Sequence, residues 1–152
     1  MKPRLINTKQ MGDACEMLVA AEMTLAGVPA VKMPDNWPVY DLIAFPKDSE
    51  IPQKISVKSR TFKRGSDTDV EYWIKANFDW MAVVILPDKE QGELCRRVFI
   101  FPKAVSDGCF HRYGDSSKNH NWMHVRIDEL AKILPKFENN FALSRTGIGD
   151  DK

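Results

Sequence analysis

The chain has 152 residues, 43% of them hydrophobic and 28% charged, with a formal net charge of +1. These proportions describe one ordinary globular domain and exclude a pair of full-sized domains. A chain of this length buries about 68–70% of its unfolded surface, which also excludes a small scaffold that depends on disulfides or a structural metal.

Cys15, Cys95 and Cys109 are odd in number and none stands in a C-x-x-C spacing. That pattern argues against a disulfide framework or a zinc ribbon and favours a reducing, cytoplasmic setting. The basic start (Lys2, Arg4, Lys9) leads into an apolar stretch broken by Glu16 and Glu22, so neither a signal peptide nor a membrane span is expected.

In chain order, Asn7 or Thr8 caps a first helix whose Met11, Cys15, Leu18, Val19 and Ala26 follow the 3.6 period until Gly27 stops it. Val28 to Met33 reads as a short strand, Pro34 to Pro38 as a turn, and Val39 to Phe45 as a second β-rich run containing Asp41. Lys54-Ile55-Ser56-Val57-Lys58-Ser59 alternates polar and apolar residues, the period of a half-buried strand. Ile55 and Val57 therefore share one face, Ser56 and Lys58 the other. Tight turns make these three strands an antiparallel meander. Thr61 to Asp69 reads as an exposed loop. Met81 to Leu86 is an uninterrupted apolar run ended by Pro87, the pattern of a central strand buried on both faces. Val98 to Phe101 is a further strand followed by a short helical turn, and Trp122 to Ile127 is the last. Asp128 then caps a helix over Glu129 to Leu134. The expected organisation is one domain over residues 1–145 and a flexible tail from Thr146 to Lys152.

The near-neutral total hides a strong local imbalance. Residues 54 to 64 hold five basic side chains (Lys54, Lys58, Arg60, Lys63, Arg64) and no acidic one. Such a run is the footprint of a docked polyanion, since each Lys or Arg near a phosphate releases counterions; a solvated loop reads the same way. Three polar residues interrupt apolar segments: Glu16, Asp41 and Lys58. Each has a plain alternative, as a solvent-facing helix acid, a turn residue and an edge-strand charge.

Cys109, His111, His120 and His124 lie within sixteen residues, but their spacing matches no familiar zinc pattern. Tyr72, Trp73, Trp80 and Trp122 suit either base stacking or ordinary packing. No phosphate-cradling Gly-rich loop, G-x-S-x-G elbow or H-E-x-x-H occurs.

Gly12-x-x-x-Glu16 in a first helix, Tyr40-Asp41-Leu42-Ile43-Ala44 in a strand, and Ile55-Ser56-Val57-Lys58-Ser59-Arg60 in the next together resemble the PD-(D/E)XK nuclease superfamily. Its small Holliday-junction-resolvase-like and endonuclease-like members are the nearest in pattern. The resemblance implies an α/β, restriction-endonuclease-like αβββαβ core with a mixed sheet flanked by helices.

It also implies DNA as the partner, Mg2+ (or Mn2+) held by Asp41 and Glu16, and Lys58 assisting an attacking water; the basic run then sets Lys54, Arg60, Lys63 and Arg64 to contact phosphates. Resolvase-like relatives commonly form homodimers. Ser56 stands where the pattern has an acid. Three explanations stay open: the acid has moved, with Asp35, Glu50 and Glu71 as candidates; Ser56 acts through a water; or the domain binds nucleic acid or a protein partner without cutting it. The leading expectation is a metal-dependent nuclease-fold protein acting on DNA by phosphodiester hydrolysis, with a magnesium-dependent endodeoxyribonuclease as one form that it can take.

Overall fold

The computed structural model of the protein describes residues 7–61, 69–87, 96–114, 118 and 120–148. Helix α1 (Thr8–Leu25) is capped by Asn7, whose Oδ1 accepts from the Gln10 N–H at 2.8 Å while Gln10 Oε1 accepts from the Asn7 N–H at 2.9 Å. This reciprocal box satisfies two of the donors that a helix start leaves open. Gly27, at φ 98°, takes the left-handed conformation that ends the helix. The face carrying Cys15, Val19, Ala20 and Met23 is buried.

Strands β1 (Ala30–Lys32), β2 (Leu42–Ala44) and β3 (Gln53–Thr61) form the expected antiparallel meander, with Val31 opposite Ile43 and Leu42 opposite Ile55. The second strand is shorter than its apolar run because Val39 adopts φ 79°. That conformation breaks an extended chain, so Tyr40 and Asp41 lie just before β2 instead of inside it.

Strand β5 (Trp80–Leu86) lies parallel to β3 on one side and antiparallel to β6 (Arg97–Pro102) on the other, in the order β1-β2-β3-β5-β6. Met81, Ala82, Val83 and Val84 are completely buried, as their apolar run demands.

A parallel pair needs a crossover. Among the described residues this one carries strand β4 (Asp69–Trp73), where the αβββαβ order would set a helix. β4 pairs with β8 (Trp122–Arg126), which pairs in turn with the two-residue β7 (His111–Arg112), making a second sheet. Most of the loop read over Thr61 to Asp69, with Lys63 and Arg64, lies outside the described residues.

Alternation along β5 builds two cores. Trp80, Ala82 and Val84 face α1 with Leu42, Ile55 and Ile100, while Met81, Val83 and Ile85 face the second sheet with Val70, Tyr72, Met123 and Leu130. The second core also takes in Phe110, which follows α2 (Lys103–Cys109), and residues of α3 (Ile127–Ile133). α3 starts one residue before Asp128, which sits in its first turn instead of capping it.

Pro135 opens a short 3-10 turn. The segment expected to fray from Thr146 is held as far as Ile148, whose N–H donates to Lys136 O at 2.6 Å. Gly147, at φ 82°, allows that approach, since a Cβ there would lie 2.5 Å from Lys136 O. No helix among the described residues is long and apolar enough to cross a membrane.

Candidate active site

Asp41 is fixed by its backbone and its side chain together. Its N–H donates to Ile55 O at 2.9 Å, its carbonyl accepts from the Met33 N–H at 2.8 Å, and its Oδ2 accepts from the Val57 N–H at 2.7 Å. The β2–β3 register, continued by one residue, sets it opposite Ser56. Its carboxylate therefore occupies the gap where β2 ends and β3 runs on. The Val57 carbonyl points to the same edge, because a strand residue directs its N–H and C=O to one side.

Glu16, on α1, faces the same gap. The two carboxylates line a cleft of about 160 Å³ together with Asp13, Lys32, Asp35 and Tyr40. Burial, and then the neighbouring Asp41 charge, hold the Glu16 carboxyl above the usual carboxylate range; the Lys32 ammonium at 3.4 Å opposes the shift. Two carboxylates forced together in a half-buried cleft are a site that gains from a cation. Mg2+ takes oxygen ligands, uses one or two carboxylates and keeps several waters, so the donor set of Glu16 and Asp41 fits it.

Lys58 approaches from the opposite face of β3. Ile55 and Val57 pack toward α1, so Ser56, Lys58 and Arg60 project toward β4. Lys58 is outside the lining of the cleft yet still within the field of Asp41. Burial, and then the Arg60 charge, push its ammonium below the ordinary lysine range, while Asp41 and Glu71 pull it back. Glu71, on β4, accepts from the Tyr113 hydroxyl at 2.8 Å. That hydrogen bond is the main reason the Tyr113 phenol is pushed up to about 12. Ser56 is 3% exposed, buried in the sheet with its short hydroxyl.

Of the three acids proposed as a displaced ligand, Glu71 is the one whose charge reaches Lys58. Asp35 lines the cleft but pairs with Lys9 and Lys32, and Glu50 is exposed in the loop before β3. Of the basic residues, Arg60 turns inward, its guanidinium donating to Asp69 O at 2.9 Å and Ser59 O at 2.8 Å. Lys54 Nζ donates to Asn77 Oδ1 at 3.1 Å near the surface.

Sequence reasoning passed over Lys32, Asp13 and Lys9. The signal for Asp13 was present, since it precedes Glu16 by three residues and so shares its helix face.

The histidine-rich segment does not gather a zinc site: among the described residues no group of three or more His, Cys, Asp or Glu side chains is arranged to hold a metal ion. His111 instead pairs with Glu129 at 2.7 Å, and His124 stacks on Tyr113 at 4.1 Å between ring centroids. Tyr72 and Trp80 are core residues at 2% exposure, which removes them as base-stacking surfaces; Trp73 and Trp122 are exposed opposite each other on β4 and β8.

No family model and no curated protein matches the chain. Among solved structures it is similar to the bacterial homing endonuclease I-Ssp6803I over 80% of this chain and 78% of that one, with a TM-score of 0.51 and 18% identity. The Holliday junction resolvase Hjc from Archaeoglobus fulgidus aligns over 78% of this chain and 90% of its own, with a TM-score of 0.45 and 12% identity. With its mixed sheet, its covering helices and its likeness to the homing endonuclease, the chain has a restriction-endonuclease-like α/β fold.

Proposed function

We propose that the protein is a metal-dependent endodeoxyribonuclease whose site is built from Glu16, Asp41 and Lys58. The observation that carries this reading is the pairing of Glu16 and Asp41 in one cleft, with Lys58 in the field of Asp41 from the opposite face of β3, in a fold shared with a homing endonuclease.

Glu16 and Asp41 are the residues that hold Mg2+ or Mn2+, with Ser56 too short and too buried to serve as a direct ligand. A bound divalent ion supplies polarisation of the phosphoryl oxygen and acidification of a water. Asp41 is oriented for its task by the Val57 N–H, which fixes one oxygen and so the plane of the carboxylate. Lys58 orients the attacking water and sets positive charge beside the developing oxyanion, the proton of the water passing to solvent. Glu71 supports Lys58 from β4, the place an acid can take once Ser56 holds the strand position. Lys54 and the basic residues that follow β3 draw the DNA backbone toward the cleft.

The test is incubation with plasmid, branched and single-stranded DNA in Mg2+ or Mn2+, beside Asp41→Asn and Lys58→Ala. Cleavage that both variants lose supports the enzyme. Salt-sensitive binding with no cut in any substrate overturns it in favour of a module that binds without hydrolysis.

A further inference from the structure

Lys32, the last residue of β1, places its ammonium among three carboxylates at the mouth of the cleft. Nζ lies 3.2 Å from Asp35 Oδ1, 3.4 Å from Glu16 Oε2 and 3.8 Å from Asp13 Oδ1. Lys9 ties the outer two together, 2.9 Å from Asp13 Oδ2 and 3.4 Å from Asp35 Oδ2. The Lys32 side chain is only 26% exposed, and Glu16 18%, whereas Asp35 is 59% exposed at the rim. One internal cation thus spans the inner acid of the proposed metal pair and an outer acid in solvent.

An ammonium and a divalent ion cannot share Glu16 without repelling each other across a few ångströms. Lysine is a point charge on a flexible four-carbon stem, so it can keep one carboxylate while giving up another. We propose that Lys32 is a positioning residue that holds Glu16 in the cleft and yields it to a divalent cation by moving fully onto Asp35. The inference rests on the nuclease reading above and adds to it a resident cation with a built-in place to go. Lys32 keeps the two carboxylates of the site from repelling the chain open when no ion is bound. It also sets a threshold that the cation must overcome, so that the site fills only where divalent ions are plentiful.

Calorimetric titration with Mn2+, at one pH where the carboxylates are ionised, separates this from a merely structural role. Lys32→Met, which keeps the stem and removes the competitor, should lower the Kd about tenfold, the scale of one partly screened charge at ion-pair distance. Asp35→Asn, which removes the resting place, should raise the Kd. The double variant should behave like Lys32→Met alone, because Asp35 acts through Lys32.

Unchanged or weaker Mn2+ binding in Lys32→Met overturns the inference while leaving the nuclease reading intact. So does an Asp35→Asn loss that persists in the double variant, which would mark a general field effect. Absence of any Mn2+ heat that depends on Asp41 overturns both.

Discussion

The Val57 N–H donates to Asp41 Oδ2 at 2.7 Å, so one oxygen of the proposed central ligand is also a structural acceptor at the gap between β2 and β3. Binding and folding therefore depend on different features of the same group, and two substitutions separate them. Asp41→Asn keeps a carbonyl oxygen for Val57 and should leave stability within about 0.5 kcal/mol of the parent while abolishing Mn2+ binding. Asp41→Ala leaves a half-buried N–H unpaired and should lose about 1–3 kcal/mol besides. Denaturant unfolding and calorimetry on both variants check the pair of outcomes.

Glu16 gives a prediction of opposite sign. Burial and the Asp41 charge raise its folded pKa above the ordinary 4.5, so the folded state keeps this proton to higher pH than the unfolded chain does. Its stabilising contribution is whole below the ordinary value and is lost as pH rises through the folded one, which leaves a penalty at neutral pH. Glu16→Gln should therefore raise the melting temperature at neutral pH in chelator, the advantage fading in acid, while Mn2+ binding falls. Melting curves across pH check the first half and calorimetry the second.

Lys58 titrates at the other end of the scale. Burial and Arg60 lower its folded pKa beneath the ordinary 10.5, so between the two values the unfolded chain binds more protons and stability from this group rises with pH. Below that window the buried charge is a constant cost. Lys58→Met should be more stable than the parent at neutral pH, and its lead should shrink as pH climbs toward 10.5. Urea unfolding over a series of alkaline pH values reads this directly, independently of DNA cleavage.

Much of this architecture was legible in the chain because local chemistry and tertiary packing agree. Asn7 and Gly27 bracket α1 as cap and stop, and the apolar run of β5 is buried on both faces. β4 escaped notice although Asp69-Val70-Glu71-Tyr72-Trp73 alternates, because five residues next to a polar, basic stretch give a weak signal without the β8 partner that sits fifty residues on. Glu71 was readable only as one of three candidates for the missing acid, since it is the second sheet that brings its charge toward Lys58. Glu16 and Asp41 were readable as polar breaks in apolar segments. Lys32 was not, since an ordinary lysine at a strand end acquires meaning only when α1 packs Asp13 and Glu16 against it. Lys58 was readable as a residue, but its position behind the cleft follows from how β3 is covered on both faces.

Gly12 supplies a last prediction. It lies inside α1 four residues before Glu16, hence on the same helix face beside the cleft, and a Cβ added there would meet nothing within 4 Å. Glycine inside a helix is less stable than alanine by about 0.5–1 kcal/mol, chiefly through the freedom it loses on folding. Gly12→Ala should therefore stabilise the protein by that amount in denaturant titrations. If this bare stretch of helix is where a phosphate backbone comes close, the same methyl group should weaken DNA binding severalfold, read by fluorescence anisotropy at one fixed salt concentration. A gain in stability with unchanged DNA affinity would place the DNA path elsewhere than along the Glu16 face, and would redirect the search for phosphate contacts to the Lys54 edge.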